Sequence, residues 1–387
     1  MAGERIYLDY AATTPVCEDV LAAMLPYFST LGYNPSSVHS EGRRAKAALD
    51  DARDRVARAL GASRKEITFT GSGTEADNQA ILGVAQTMRG RGRHIVSTAI
   101  EHHAVLHALD SLAASGYEIT LLPVGERGVV DPAAFEAALR PDSILASVMY
   151  ANNEIGVVQP IAELAAIARS RGVLFHTDAI QAPGWLPLDV NGLGVDLLSL
   201  SAHKFYGPKG VGVLYTREGV RVPPLLHGGG QEFGRRSGTE NLAGIVGLAR
   251  ALEIAVAQQP ARSARVKALR DRLEGSLLER VADVRVNGAG APRLPNNLNL
   301  SIAGVDSEAL VARFDLEGLA VSAGSACTSG VLEPSHVIEA LGIEPRWQQG
   351  VVRLSLGATT TTEQIDRVIA LVPGLIAELR SVASTPA

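Results

Sequence analysis

The sequence predicts an α/β protein whose larger part is a mainly parallel seven-stranded sheet, with a smaller α+β unit beside it. Three observations carry this. Short apolar runs alternate with helical patterns from about residue 66 to residue 215, the arrangement of a parallel sheet covered on both faces. Several runs end in polar residues followed by turn chemistry, as in Asp196-Leu-Leu-Ser-Leu-Ser-Ala-His-Lys204, which breaks at Gly207-Pro208. Beyond residue 260 the alternation gives way to longer helices and isolated strands.

In chain order, Arg5–Leu8 is strand-like, Asp19–Phe28 helical, and Gly32–Ser37 turn-rich. A long helix follows from about Val38 to Leu60, its charges on a solvated face and Gly61 ending it. Strands are expected at Glu66–Thr70, His94–Ser97, Glu118–Leu122, Ile144–Met149, Leu174–Thr177, Leu197–Ser201 and Val211–Tyr215. Helices fall between most of them, at Glu75–Met88, His103–Ala114, Pro132–Leu139 and Ile161–Ser170. The last two strands are joined by a loop, which predicts an antiparallel edge.

Helix Leu242–Gln258 should end at Pro260, placing the larger domain at 13–259 and the smaller at 1–12 with 260–387. The smaller unit reads as helix Val266–Val281, strands near Val284–Asn287 and Asn297–Ile302, helix Ser307–Leu316, a loop holding Cys327, helix Ser335–Leu341, strand Val351–Leu356 and helix Thr362–Leu379.

Composition bounds the function. The chain of 387 residues is 46% hydrophobic and 20% charged with a net charge of −5, so no basic field points to nucleic acid or an anionic membrane. The most apolar long stretch, Ala243–Ala257, carries Arg250 and Glu253 and reads as a buried helix. Two cysteines make no disulfide framework, and a reducing cytoplasm is expected.

Candidate chemistry gathers at strand exits, where open parallel sheets bind ligands. Lys204, at the mouth of a buried strand, is either a salt-bridging lysine or a desolvated Schiff-base lysine. Gly71-Ser-Gly-Thr-Glu-Ala-Asp-Asn78 follows a strand and opens a helix; it is either a capped glycine turn or a phosphate cradle at Gly73 and Thr74. Asp178, at the exit of Val173–Phe175, either caps the next turn or keeps a pyridinium nitrogen protonated. His102 is read as a flat ring in the same cleft, and His103 with His107 lacks the ligand cluster a metal needs.

Arg353, on an apolar strand, either points into a cleft to grip a carboxylate or faces outward as an edge residue. Cys327 lies in Ser322-Ala-Gly-Ser-Ala-Cys-Thr-Ser-Gly330, a small-residue loop that should expose a reactive thiol, whereas Cys17 is read as incidental. His227-Gly-Gly-Gly230 lacks the Gly-x-Ser-x-Gly partner of a hydrolase and leads nowhere.

Together these pieces resemble the cysteine desulfurases of the NifS/IscS type, pyridoxal phosphate (PLP) enzymes of fold type I. The resemblance runs nearly end to end, through Tyr7-Leu-Asp-Tyr-Ala-Ala-Thr-Thr-Pro15, Asn34-Pro-Ser-Ser, Gly73-Thr-Glu-Ala-Asp-Asn78, Glu101-His102, Asn152-Asn-Glu-Ile-Gly156, Asp178-Ala-Ile-Gln181, Ser201-Ala-His-Lys204, Arg236-Ser-Gly-Thr-Glu-Asn241 and Gly324-Ser-Ala-Cys-Thr-Ser329. It implies that Lys204 holds the cofactor covalently and that Gly73, Thr74, Ser201 and His203 bind its phosphate. Thr239 would bind it from a neighbouring subunit, making a homodimer with composite sites. It further implies that Asp178 pairs with the ring nitrogen, Gln181 with the phenolic oxygen, Asn153 lies beside the ring and His102 stacks on it.

By the same resemblance Asn34 and Arg353 grip the carboxylate of L-cysteine. Cys327 accepts its sulfur as a persulfide, for delivery to an acceptor or iron–sulfur scaffold protein. A selenocysteine lyase or a small-substrate aminotransferase would share the fold, and a non-catalytic sulfur-relay protein would share it without the cofactor.

Overall fold

The structure is a computed structural model, described here for residues 5–323 and 335–383. Its strands are β1 (Ile6–Tyr7), β2 (Ile67–Thr70), β3 (His94–Thr98), β4 (Glu118–Leu122), β5 (Ser143–Ser147), β6 (Leu174–Asp178), β7 (Leu197–Ser201), β8 (Gly212–Thr216), β9 (Val284–Val286), β10 (Asn297–Ile302), β11 (Leu319–Ala320) and β12 (Val351–Ser355). The helices are α1 (Glu18–Met24), α2 (Ser40–Leu60), α3 (Gly73–Met88), α4 (His103–Ala114), α5 (Pro132–Ala138), α6 (Ile161–Ser170), α7 (Val190–Leu193), α8 (Leu242–Arg280), α9 (Ser307–Leu316), α10 (His336–Ala340) and α11 (Thr362–Ala383).

Seven strands form one sheet in the order β2-β8-β7-β6-β5-β3-β4. From β7 to β4 every neighbouring pair is parallel, and β8 is antiparallel to both β7 and β2. The sheet matches the expected mainly parallel one, with one correction. The reversed strand is β8, as expected, but β2 caps its outer side, so the edge belongs to the first strand of the series. All of β7 and β8 is buried. Strands covered on both faces are apolar throughout instead of alternating, which is why Leu197–Ser201 reads as a continuous run.

A three-stranded antiparallel sheet, β12-β10-β9, forms the second layer system. β1 pairs in parallel with β11, tying the start of the chain to residues 319–320. The apolar core divides accordingly. Residues such as Val96, Phe175, Leu198 and Val213 fill one cluster, Ile6, Leu8, Val266, Leu298, Phe314 and Val352 fill a second, and Ile81, Val84, Ile95, Leu109 and Leu214 fill a third that joins α3 and α4 to the seven-stranded sheet.

Helix α8 corrects the expected stop at Pro260: it runs unbroken from Leu242 to Arg280 and packs into the first two clusters. A proline inside a helix removes the bond to the carbonyl four residues earlier. Here that carbonyl belongs to Val256, and both residues sit on the exposed face, where a carbonyl without its helix bond costs little. α8 is also the one described helix long and apolar enough to cross a membrane, and most of its apolar window is buried in the protein core.

Candidate active site

The exits of β6 and β7 deliver several of the polar residues of one cavity of about 310 Å3. Its walls include Gly73, Thr74, His102, Asn153, Asp178, Gln181, Ser201, His203, Lys204 and Arg353, ten of the residues expected at the site.

Lys204 arrives there because β7 ends in a tight 3-10 turn, Ala202–Lys204. Thr14 fixes that turn: its N–H and its hydroxyl both donate to the His203 carbonyl, at 2.8 and 3.0 Å. Gly207 lets the chain fold back against it, since a Cβ there would stand 2.8 Å from that of Ala202. Lys204 Nζ donates to the carbonyls of Ala11 (2.8 Å) and Ala12 (2.7 Å), and Gln181 Nε2 also donates to Ala11 (3.0 Å).

Asp178 closes β6 and is almost fully buried; its Oδ1 accepts the Ile180 N–H at 2.9 Å. Burial pushes its carboxyl up to about 6, against the opposing pull of the Ile180 bond and the Lys204 charge. Behind it, His176 bonds Ser147 Oγ (2.9 Å) and Ser199 Oγ (3.0 Å) and stands 3.6 Å from the buried Asp77. Burial lowers His176 to about 3, so it is neutral, and raises Asp77 well above the usual carboxylate range.

His102 caps α4: its Nδ1 accepts the Ala104 N–H at 3.1 Å. That bond leaves the proton on Nε2, and burial, helped by the Lys204 charge, lowers the ring to about 4. Just before it, Glu101 Oε1 accepts from Thr98 Oγ1 (2.7 Å) and the Met149 N–H (2.9 Å), with burial raising it to about 8. This buried brace sets the turn that presents His102. His203 Nδ1 lies 3.1 Å from Thr13 Oγ1, and burial lowers it to about 4.

Arg353 comes from the other sheet, on β12, and is only 2% exposed. One guanidinium nitrogen donates to Asp9 Oδ1 (2.7 Å) and the other to the Asn153 carbonyl (2.9 Å).

Two expected residues are not brought in. Asn34 is exposed, its Oδ1 accepting the Ser36 N–H at 2.9 Å in a local turn. Thr239, also exposed, lines a separate cavity of about 150 Å3 with Gly71 and Arg236. Cys327 lies outside the described residues. Asp9, Glu154 and His336 went unmarked by the sequence reading and also belong to this neighbourhood. Asp9 stands within the Tyr7–Pro15 motif, but its pairing with a residue 344 positions away has no local signal.

Comparison with known proteins settles the family. The class-V aminotransferase model matches residues 6–368. The chain belongs to the class-V aminotransferase family. Among its relatives, the cysteine desulfurase IscS of Dictyoglomus turgidum is 47% identical over 379 residues, covering 98% of this chain and 96% of the relative. IscS of Methanosarcina thermophila is 48% identical, covering 98% and 94%. A solved NifS-like protein superposes with a TM-score of 0.90 at 37% identity, over 97% of this chain and all of that one.

The cofactor of this class-V aminotransferase is PLP, and the cavity suits it. A Cβ on Gly73 would stand 2.3 Å from Ile180 Cδ1 and 3.1 Å from Ser201 Cβ, so glycine keeps the mouth of α3 open to a phosphate without displacing a neighbour. A buried carboxyl, Asp178, and a buried-strand lysine, Lys204, share the same walls.

Proposed function

We infer that this protein is a PLP-dependent L-cysteine desulfurase. The observation that carries the reading is the meeting of Lys204, Asp178 and Arg353 in one cavity of a chain nearly half identical to IscS proteins along its length. When bound, the cofactor supplies an electron sink for bonds at the substrate's Cα. Lys204 would hold it and afterwards move a proton at Cα. Gly73, Thr74, Ser201 and His203 would take its phosphate, Asp178 its ring nitrogen and Gln181 its phenolic oxygen. Asn153 would flank the ring and His102 would stack on it.

Arg353 orients the substrate by its carboxylate. The Asp9 partner keeps the guanidinium placed until the substrate arrives. Asn34 is the second proposed carboxylate contact. The Cys327 thiolate then takes the substrate's sulfur: an S–S bond forms as the Cβ–S bond breaks, the electron pair of the broken bond stays on the carbon side and Cβ takes a proton, leaving a persulfide on the enzyme and L-alanine as product.

A homodimer fits this reading. Thr239 and Asn34 are exposed and away from their own chain's cavity, and Leu25, Phe28 and Val38 offer exposed apolar surface to a second copy. An acceptor or iron–sulfur scaffold protein would collect the persulfide, and cytoplasm is the compartment that keeps such a thiol reduced. The division into 13–259, and 1–12 with 260–387, remains our choice for the two domains.

The test is Cys327→Ala in the PLP-loaded protein. Sulfide and persulfide output from L-cysteine should fall to background, while the cofactor's visible absorption and its response to L-cysteine persist. Full sulfur output from the variant would point instead to a lyase that cleaves the Cβ–S bond without a protein thiol.

A further inference from the structure

A second cavity, of about 320 Å3, shares no lining residue with the first. It reaches the cofactor-lysine segment at Phe205 and Tyr206, one and two residues past Lys204, and Arg262 of α8 is part of its wall.

Four arginines of the described residues are less than a tenth exposed: Arg53, Arg262, Arg270 and Arg353. Three have a carboxylate at hand, Arg53 with Glu232 (2.6 Å), Arg270 with Asp271 (2.8 Å) and Arg353 with Asp9 (2.7 Å). Arg262, 8% exposed, has none within ion-pair distance among the described residues. Its Nη2 donates to Gln258 Oε1 at 2.7 Å, and its guanidinium lies 5.3 Å from the centre of the Tyr206 ring and 6.0 Å from that of Trp185. Aromatic faces and one amide steady the cation without neutralising it, and a buried charge left uncompensated is costly. Arg265, on the same helix, adds a second positive charge while it binds the Thr360 carbonyl at 2.8 Å.

The remaining walls state what would complete the site. The Cys17 thiol borders it, half-buried, and the exposed Glu18 and Asp19 stand on α1, with Asp19 already holding Arg250 at 2.9 Å. A buried cation with acidic side chains on the exposed wall matches a molecule that points a carboxylate inward, and an ammonium outward if it has one.

We propose that this cavity is a binding site for a small carboxylate of amino-acid size, held on Arg262. Cys17, incidental to the sulfur chemistry, reports on it from the wall.

Alkylation of Cys17 tests this directly. Iodoacetate and iodoacetamide both form a carbon–sulfur bond with loss of iodide, but only the first carries a carboxylate. Rates at Cys17 are followed by peptide mass spectrometry on the PLP-loaded full chain, with Cys327 read separately. The iodoacetate-to-iodoacetamide ratio at Cys17 should fall about tenfold in Arg262→Gln and recover in Arg262→Lys, as steering by a buried charge requires.

L-Alanine and propionate should each slow the reaction at Cys17, and should still do so in Arg353→Leu, whose main cavity has lost its carboxylate grip. Protection by L-alanine at the lower concentration identifies an amino acid as the ligand; equal protection identifies a plain carboxylate. A ratio unmoved by Arg262→Gln, or the failure of both compounds to protect in Arg353→Leu, overturns the proposal. Should Arg262→Gln not fold, the protection measurements on the unaltered Arg262 decide alone.

Discussion

The two halves of the main cavity are built in opposite ways. Its floor is the exit of two adjacent parallel strands: β6 supplies Asp178, and β7 with its turn supplies Ser201, His203 and Lys204. Its rim is assembled from remote pieces, with Arg353 on β12, held by Asp9 beside β1, and Asn153 in a loop. Strand order fixes the floor, whereas the rim depends on how the second sheet docks against the first. The floor should therefore govern whether the cofactor stays, and the rim how well the substrate is held.

Substitutions on each side can break or sharpen that contrast. Lys204→Ala strikes the floor hardest. Turnover should drop by at least about a thousandfold, and the absorption of the lysine-held cofactor should be missing from the spectrum of the reconstituted protein. Arg353→Leu strikes the rim. KM for L-cysteine should rise about a hundredfold, the scale of losing a bidentate charged contact, with cofactor absorption unchanged in the same preparation. If Arg353→Leu releases the cofactor, the two halves are not separate.

Gly73→Ala is a smaller floor change, because Ile180 Cδ1 can turn aside even though the Ser201 contact stays tight. Titration with PLP should give about tenfold weaker binding, without loss of fold.

The smallest effect lies below the floor. His176 is neutral in the fold with its pKa lowered to about 3, against about 6.5 in the unfolded chain. Its contribution is complete above pH 6.5 and is lost as pH falls toward 3, because the unfolded state then binds the extra proton. His176→Gln should lower Tm by several degrees at pH 8, and the gap between variant and parent should narrow steadily in melts taken down to pH 4.

This contrast also explains what could be read in advance. Floor residues follow apolar runs within a few positions, so Ser201-Ala-His-Lys204 and Asp178 were visible as strand exits, and Gly73 as the start of a helix. Arg353 stood out as a charge inside an apolar strand. Asp9 did not, because its partner is brought to it by tertiary docking and not by any periodicity. Position in a reading by windows is also why Pro260 misled: the rule that proline stops a helix is local, and packing of α8 against two cores outweighs one missing bond. Arg262, on that same helix, gave no sign of being buried without an acid, since burial at a helix position is decided by what packs over it.

Helix α8 has 39 residues, so it is a rod about 58 Å long at 1.5 Å per residue. One end lies in the core beneath the seven-stranded sheet and the other in the core of the three-stranded one. A shared girder of that kind leaves no free joint between the two sheets along this connection. A movement of one sheet relative to the other that is carried through this connection would tilt the whole rod.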